Sequence, residues 1–565
     1  MLSKHYNRDS IDPDEIFLDA SNLPDHDPNQ FEGRVERPVS TQAFLALVFL
    51  FITVACGFAY RAYSISVSDG EKYAEISRNN RLDRSVLFAT RGRILDKNER
   101  ELAWNDLNAS STASTTFTLR KYTSLPGLSH VLGFVRYPKS DAKGEWWREE
   151  YTPVSGVEYF YDSVLHGING SSMTETSASG KVVRTNITTE PINGTDLHLT
   201  IDAEVQSKLY ETLLHHANEQ HFVGGAGVIM DIHTGNILAL TSIPEYSNAA
   251  FVEGNSDAID AAHESVRSPT LNRAVAGAYT PGSIVKPLFA AAALEEEIIS
   301  PEKQIYSSGA LILPNPYNPD QPSIFKDWRA HGWVDMRHAI AQSSDEYFYT
   351  VGGGYKSQKG LGINKIDEYS KRFGFATITG VMLGGEIPGI IPTPEWKEKV
   401  FGANDPWRIG NTYHTAIGQF GFQVTPLQVV RAIAALANGG TLYEPHLIKG
   451  ERPTVQGTVG ITESHLQVAR EGMRLAVTLP DYGTARSLNM PEPHIAAKTG
   501  TAQTGTHNQW MNSWVVGFWP YEKPRYAFAI MLEKAPAGTL SGAAPGMKPF
   551  FEWLVAYKPE YIASE

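Results

Sequence analysis

The chain has 565 residues, 42% of them hydrophobic and 20% charged, so it is neither a disordered chain nor a polytopic membrane protein. Its 49 basic and 62 acidic side chains give a formal charge of −13, and no Lys/Arg stripe marks a nucleic-acid surface. A single cysteine excludes intrachain disulfides, iron–sulfur clusters and zinc sites built from several thiolates, and Cys56 falls in an apolar run that ill suits a nucleophile.

Residues 1–40 hold nine Asp/Glu and four Lys/Arg with no apolar stripe, and read as a disordered, acidic arm. No charge occurs between Arg37 and Arg61, a stretch whose core is AFLALVFLFITVACGFAY. As a helix of ~1.5 Å rise per residue, residues 41–62 reach about 33 Å, enough to cross a bilayer core. A signal peptide opens on a short positive region, whereas this run follows an acidic arm, so it reads as a retained single-pass membrane anchor. Arg34 and Arg37 on one side, against Arg61, Lys72 and Arg78 on the other, leave its orientation open.

Residues 63–222 alternate Val, Ile, Thr and Phe runs with Gly/Asn turns, which predicts a β-rich, elongated pedestal domain. Residues 223–565 predict an α/β domain with a central antiparallel sheet flanked by helices. It opens on the hairpin GAGVIMDIHTGNILALTS, turning through Asp231–Asn236. A helical run starts near Ser283, and another from Thr425 ends at Gly439 with Leu427, Val430, Ile433, Ala434 and Leu436 on one face. SWVVGFWP and YAFAIMLE are apolar strands around a turn at Tyr521–Arg525.

Three groups carry chemistry. Ser283 and Lys286 form S-x-x-K after Pro281–Gly282; on a helix they share a face, where a neutral lysine can take the serine proton. Pro281 suits a helix start, and Pro287 predicts a kink one turn in. Taken alone the motif is weak: Ser300–Lys303 repeats it in what reads as a turn with solvated charges. Ser343, Ser344 and Asp345 read as a helix cap between two helices, or as a turn that aims the Ser343 hydroxyl and Asp345 carboxylate into a cleft. Lys498, Thr499, Gly500 and Thr501 read as an exposed edge with a gatekeeper lysine, or as a substrate-binding strand. In the second reading Thr499 and Thr501 share a side, Lys498 takes the other, and Gly500 leaves room for substrate near the backbone.

In this order the groups match the S-x-x-K, S-x-N/D and K-T-G set of the penicillin-interacting serine enzymes. From the anchor onward the chain resembles a class B penicillin-binding protein, a monofunctional peptidoglycan D,D-transpeptidase. TRGRILDKNERELA (Thr90–Ala103) and SGVEYFYDSVLHGINGS resemble the family's pedestal motifs, while AIGQFGFQVTPLQ and YGTA (Tyr482–Ala485) follow in family order. FKDW…HG and PGIIPTPEW resemble the elongation-type members more than the division-type ones.

The resemblance implies Ser283 as the acylated nucleophile, Lys286 as its base, and Ser343 and Asp345 as a proton shuttle linked to Lys498. It also implies Thr499, Gly500 and Thr501 as the clamp for a substrate carboxylate, with the N–H groups of Ser283 and Thr501 as oxyanion hole. The substrates would be peptidoglycan stem peptides ending in D-Ala-D-Ala, with β-lactams as inhibitors and no cofactor. The arm would lie in the cytoplasm, the anchor in the cytoplasmic (inner) membrane, and the catalytic domain in the periplasm or outside the cell. Glycan polymerisation would fall to a polytopic rod-shape glycosyltransferase, with elongation-complex scaffold proteins as further partners. Some elongation enzymes of the family bind zinc through a cluster that includes a cysteine. Cys56 cannot serve, and Asp327, His331 and His338 are expected to be ordinary loop residues, so no metal is expected. A septal transpeptidase, a D,D-carboxypeptidase, a penicillin sensor and a non-catalytic scaffold are the alternatives; the single long anchor and the pedestal region argue against hydrolase and sensor.

Overall fold

The uncharged run forms helix α1 (Thr41–Tyr63), N-capped by Ser40, whose hydroxyl accepts the Ala43 N–H. A π-helical turn, Ser64–Ser68, prolongs it to 28 residues, and none of the apolar window is buried. A core helix of a globular domain would be covered by protein; α1 instead has the length and apolar surface of a single-pass anchor. The computed structural model describes residues 40–79, 82–106, 117–142, 145–176, 182–315 and 318–562, and the acidic arm at 1–39 lies outside them. The chain divides into two compact units, residues 1–83 with 174–184 and residues 84–173 with 185–565. In the first, helix α2 (Gly70–Asn79) occupies a stretch expected to be strand and turn.

In the second unit the pedestal region builds a four-stranded sheet in the order Leu197–His198, Ile94–Leu95, Glu101–Asp106, Leu119–Tyr122. Short helices, Ser129–Leu132, Gly156–Phe160 and Asp162–Leu165, interrupt the expected β structure. The two quoted pedestal motifs meet at a buried ion cluster. Glu158 Oε2 lies 2.6 Å from Arg91 Nε, Glu158 Oε1 lies 2.7 Å from Arg120 Nε, and all three side chains are at most 1% exposed. Burial alone would raise the Glu158 carboxyl, but the two guanidiniums outweigh it and hold it below the usual carboxylate range.

Helix α3 (Ala203–Glu219), also unexpected in the strand-and-turn stretch, packs on one face of a five-stranded sheet. Asp202 caps it, accepting the Glu204 and Val205 N–H groups, and its other oxygen accepts from Tyr561 Oη at 2.7 Å and Asn98 Nδ2 at 3.1 Å. One carboxylate thus joins the pedestal, the helix and the C-terminal end. The sheet comprises β1 (Gly224–Asp231), β2 (Ile237–Ile243), β3 (Ala496–Thr504), β4 (Trp510–Trp519) and β5 (Tyr526–Pro536), antiparallel in the order β2-β1-β5-β4-β3. Between β2 and β3 the chain inserts helices α4 (Lys286–Glu295), α5 (Met336–Gln342), α6 (Asp345–Gly353), α7 (Pro426–Ala437) and α8 (Glu463–Thr478), and α9 (Ala543–Tyr557) follows β5.

The inner strands are largely apolar because both faces of the sheet are covered. Phe528 and Ile530 of β5 join the cluster made with α3 and α9, while Ala527, Ala529 and Met531 join the one made with α7. Helix α7 starts as its sequence predicts, with Thr425 and Gln428 forming a reciprocal capping box.

Replacing Glu158 with Ala would leave the buried Arg120 guanidinium without its carboxylate and Arg91 with Asp162 alone, so a loss of about 3–5 kcal/mol is expected, read as a lower unfolding midpoint in a denaturation series. Asp162→Ala, at a carboxylate 32% exposed, should cost clearly less.

Candidate active site

Ser283 lies in a 3-10 turn, Gly282–Val285, closed by the Lys286 N–H on the Ser283 carbonyl. The predicted kink is absent, because α4 begins only at Lys286. Pro287 therefore falls in its first turn, where a missing N–H breaks no intrahelical bond. Gly282 has φ +58°, and a Cβ there would stand 3.0 Å from the Thr501 carbonyl oxygen, so both conformation and space demand glycine. Its N–H donates to the Gly418 carbonyl at 2.9 Å, and Trp514 Nε1 donates to the Thr280 carbonyl at 3.0 Å. Strand β3 packs on this turn at Gly500, where a Cβ would meet Ile284 Cγ2 at 2.8 Å and Pro281 O at 3.0 Å. The space beside Gly500 is taken up by the serine turn, and the glycine lets the strand dock there.

The second group sits at the break between α5 and α6. Ser344 is the N-cap of α6, its Oγ accepting the Tyr347 N–H at 3.3 Å. That leaves Ser343, the C-cap of α5, free to turn its hydroxyl inward with φ 59° and ψ 40°. Ser343 Oγ accepts from Lys498 Nζ at 2.8 Å and from Lys286 Nζ at 3.3 Å. Lys286 Nζ also donates to the Ser343 carbonyl at 2.8 Å and to Asp345 Oδ1 at 2.6 Å, and Lys498 Nζ to the Thr499 carbonyl at 2.7 Å. Ser283 is partly buried in the adjoining turn, and its hydroxyl makes no hydrogen bond among the described residues. Along β3 the alternation is as predicted, Lys498 and Gly500 buried, Thr499 half-buried and Thr501 exposed.

Both lysine side chains are buried, and only Asp345 opposes them directly. Burial first, then the positive charge of Lys286, drives the Lys498 amine well below the ordinary lysine range, with Asp345 pulling the other way. Sequence reading assigned no chemistry to Asp327. Burial would raise its carboxyl, but the His331 hydrogen bond, the Glu346 N–H and the Lys286 charge bring it down to about 2. His331 lies 3.3 Å from Asp327, whereas His338 pairs with Asp335 at 2.8 Å. Among the described residues no cluster of three or more His, Cys, Asp or Glu could hold a metal ion. The duplicate S-x-x-K is a surface turn, with Lys303 Nζ 2.7 Å from Gln358.

Known proteins share this fold. The sequence model of the penicillin binding protein transpeptidase domain matches residues 225–552, and that of the penicillin-binding protein dimerisation domain residues 113–199. The peptidoglycan D,D-transpeptidase MrdA of Haemophilus influenzae is 31% identical over 461 residues, covering 75% of this chain and 68% of that one. The penicillin-binding protein PBP2 of Helicobacter pylori, solved in complex with MreC, is 25% identical with a TM-score of 0.69, over 85% of this chain and 99% of that one. A chain from a peptidoglycan synthase complex that coordinates polymerisation and crosslinking is 26% identical with a TM-score of 0.67, over 92% of this chain and 98% of that one.

The depressed Lys498 has a measurable signature. Between its folded pKa and the free-lysine value of 10.5, the unfolded chain carries a proton that the folded chain lacks. Stability therefore rises with pH across that window and is lost as pH falls through it. The Tm of the wild type relative to Lys498→Met should climb as pH rises towards 10.5; a constant difference would contradict the assigned shift.

Proposed function

The chain belongs to the penicillin-binding protein transpeptidase family, and from that premise we propose that Ser283 is the acylated nucleophile of an elongation-type peptidoglycan D,D-transpeptidase. The observation that carries the reading is the convergence of Lys286, Ser343, Asp345 and Lys498 on one hydrogen-bonded cluster beside the serine turn. Ser283 Oγ attacks the penultimate D-Ala carbonyl of a stem peptide, and the C–N bond to the last D-Ala breaks. An amine of a neighbouring stem then attacks the resulting ester, forms the cross-link and returns the serine hydroxyl. β-Lactams occupy the same serine as a stable acyl-enzyme.

Lys286 is the base in this reading, yet it rests as an ion pair with Asp345. To accept the Ser283 proton it must first give one up. Lys498, whose amine burial and the Lys286 charge press towards the neutral form, is the acceptor: a proton passes from Lys286 Nζ to Ser343 Oγ while the Ser343 proton passes to Lys498. The Ser283 and Thr501 N–H groups stabilise the tetrahedral oxyanion, and Thr499 and Thr501 hold the terminal carboxylate. With Asp345 anchoring the cation that is formed and discharged, the cycle needs no cofactor.

In this reading the anchor lies in the cytoplasmic membrane, with the amino-terminal arm cytoplasmic and the catalytic region outside. A polytopic glycosyltransferase supplies the glycan strands, and the elongation scaffold, of which the H. pylori complex with MreC gives one instance, is a further partner. Drawing the pedestal at 63–222 and the transpeptidase domain at 223–565 follows the same reading.

A labelled penicillin tests the assignment. Wild type and Ser300→Ala should form a stable adduct, and Ser283→Ala none; label retained by folded Ser283→Ala would refute the nucleophile. Supplied with glycan strands bearing pentapeptide stems, the wild type should yield cross-linked dimers, whereas trimmed monomers alone would mark a carboxypeptidase.

A further inference from the structure

Ser343 holds a left-handed backbone that disfavours any residue with a Cβ, so neighbouring contacts must impose it. Its hydroxyl is taken by the two lysines, and the contacts that could impose the backbone lie on its flanks. On one side, Ser344 Oγ and the Glu346 N–H both donate to Asp327 Oδ2, each at 2.9 Å. On the other, Gln342 Oε1 accepts from Arg329 Nη2 at 2.8 Å. The two grips belong to one loop. Asp327 Oδ1 accepts the Trp328 N–H at 2.8 Å and lies 3.3 Å from His331 Nε2, while Arg329 Nε donates to His331 Nδ1 at 3.3 Å. His331 Nδ1 also lies 3.3 Å from Gln342 Oε1, so the imidazole bridges Asp327 and Gln342. The Asp327 and His331 side chains are both fully buried.

We propose that Asp327, oriented by His331, is a positioning residue that clamps the backbone on either side of Ser343 and thereby aims its hydroxyl between Lys286 and Lys498. The inference rests on the transpeptidase reading, because the relay it serves belongs to that mechanism. Asp327 touches neither the reacting serine nor the lysines; it acts through Ser344, the Glu346 N–H and the loop that reaches Gln342. An asparagine there has the same shape but cannot accept at both oxygens.

The test is acylation of the detergent-solubilised full chain by a fluorescent penicillin, with the rate constant, the labelled fraction and Tm recorded for each variant. Asp327→Asn should label to the same final fraction as wild type, with the rate constant down about 10- to 100-fold. Gln342→Ala should also be slowed. A purely structural role would lower Tm and the labelled fraction while the folded remainder reacts at the wild-type rate constant, and that result would overturn the proposal. Should Asp327→Asn fail to fold, a wild-type rate constant in Gln342→Ala would do the same. A wild type that takes up no label at all has a different signature: it removes the transpeptidase reading, and this inference with it.

Discussion

Two buried ammonium groups share one hydroxyl oxygen, and a single carboxylate faces them. Bound to Ser343 Oγ at 3.3 Å and 2.8 Å, the lysine nitrogens lie no more than about 6 Å apart. Two full charges at that separation repel by about 3 kcal/mol at an effective dielectric of about 20. Asp345 pairs directly with Lys286 alone. Burial first, and then this repulsion, press Lys498 towards the neutral form while Lys286 stays paired with Asp345. The depressed amine beside the serine turn is therefore a product of burial and charge balance together.

The surrounding fold exists to keep that balance in place. Lys498 belongs to β3, Lys286 to the first turn of α4, and Ser343 and Asp345 to the break between α5 and α6, so three distant segments must meet. β3 meets the serine turn because Gly500 and Gly282 remove the side chains that would hold them apart. The break meets both lysines because Ser344 caps α6 and leaves Ser343 to end α5. Behind these contacts, a sheet buried on both faces fixes the register of β3: a slip by one residue would bring Thr499 to the position of Lys498 and carry the ammonium to the other face.

Much of this was legible from residue patterns. The uncharged run, the apolar strands around Tyr521–Arg525 and the Thr425 helix carry local signals that tertiary packing reinforces. The strand-and-turn reading of the pedestal failed at α2, at α3 and at short helices such as Ser129–Leu132. GEKYAEISRN is too short and polar to show a period, and α3 owes its start to Asp202, whose cap is read only once Tyr561 and Asn98 are seen beside it. At the site, the residue types were readable and their partners were not. S-x-x-K places Lys286 near Ser283 by spacing, but only three-dimensional placement shows the ammonium turned to Asp345. Asp327, Gly418 and Trp514 leave no trace in spacing because each acts through a neighbour remote in the chain.

Strand β3 is the last in its sheet, paired with β4 on one side only. Every inner strand has spent its main-chain donors and acceptors on two neighbours; this one retains a row of them along its outer margin. An extended peptide laid there would be held by its backbone irrespective of its side chains, gaining affinity through main-chain pairing and selectivity only where a pocket asks for it. A catalyst that must accept the end of a polymer in many local surroundings has use for that kind of grip: it recognises a conformation first and a chemical group second.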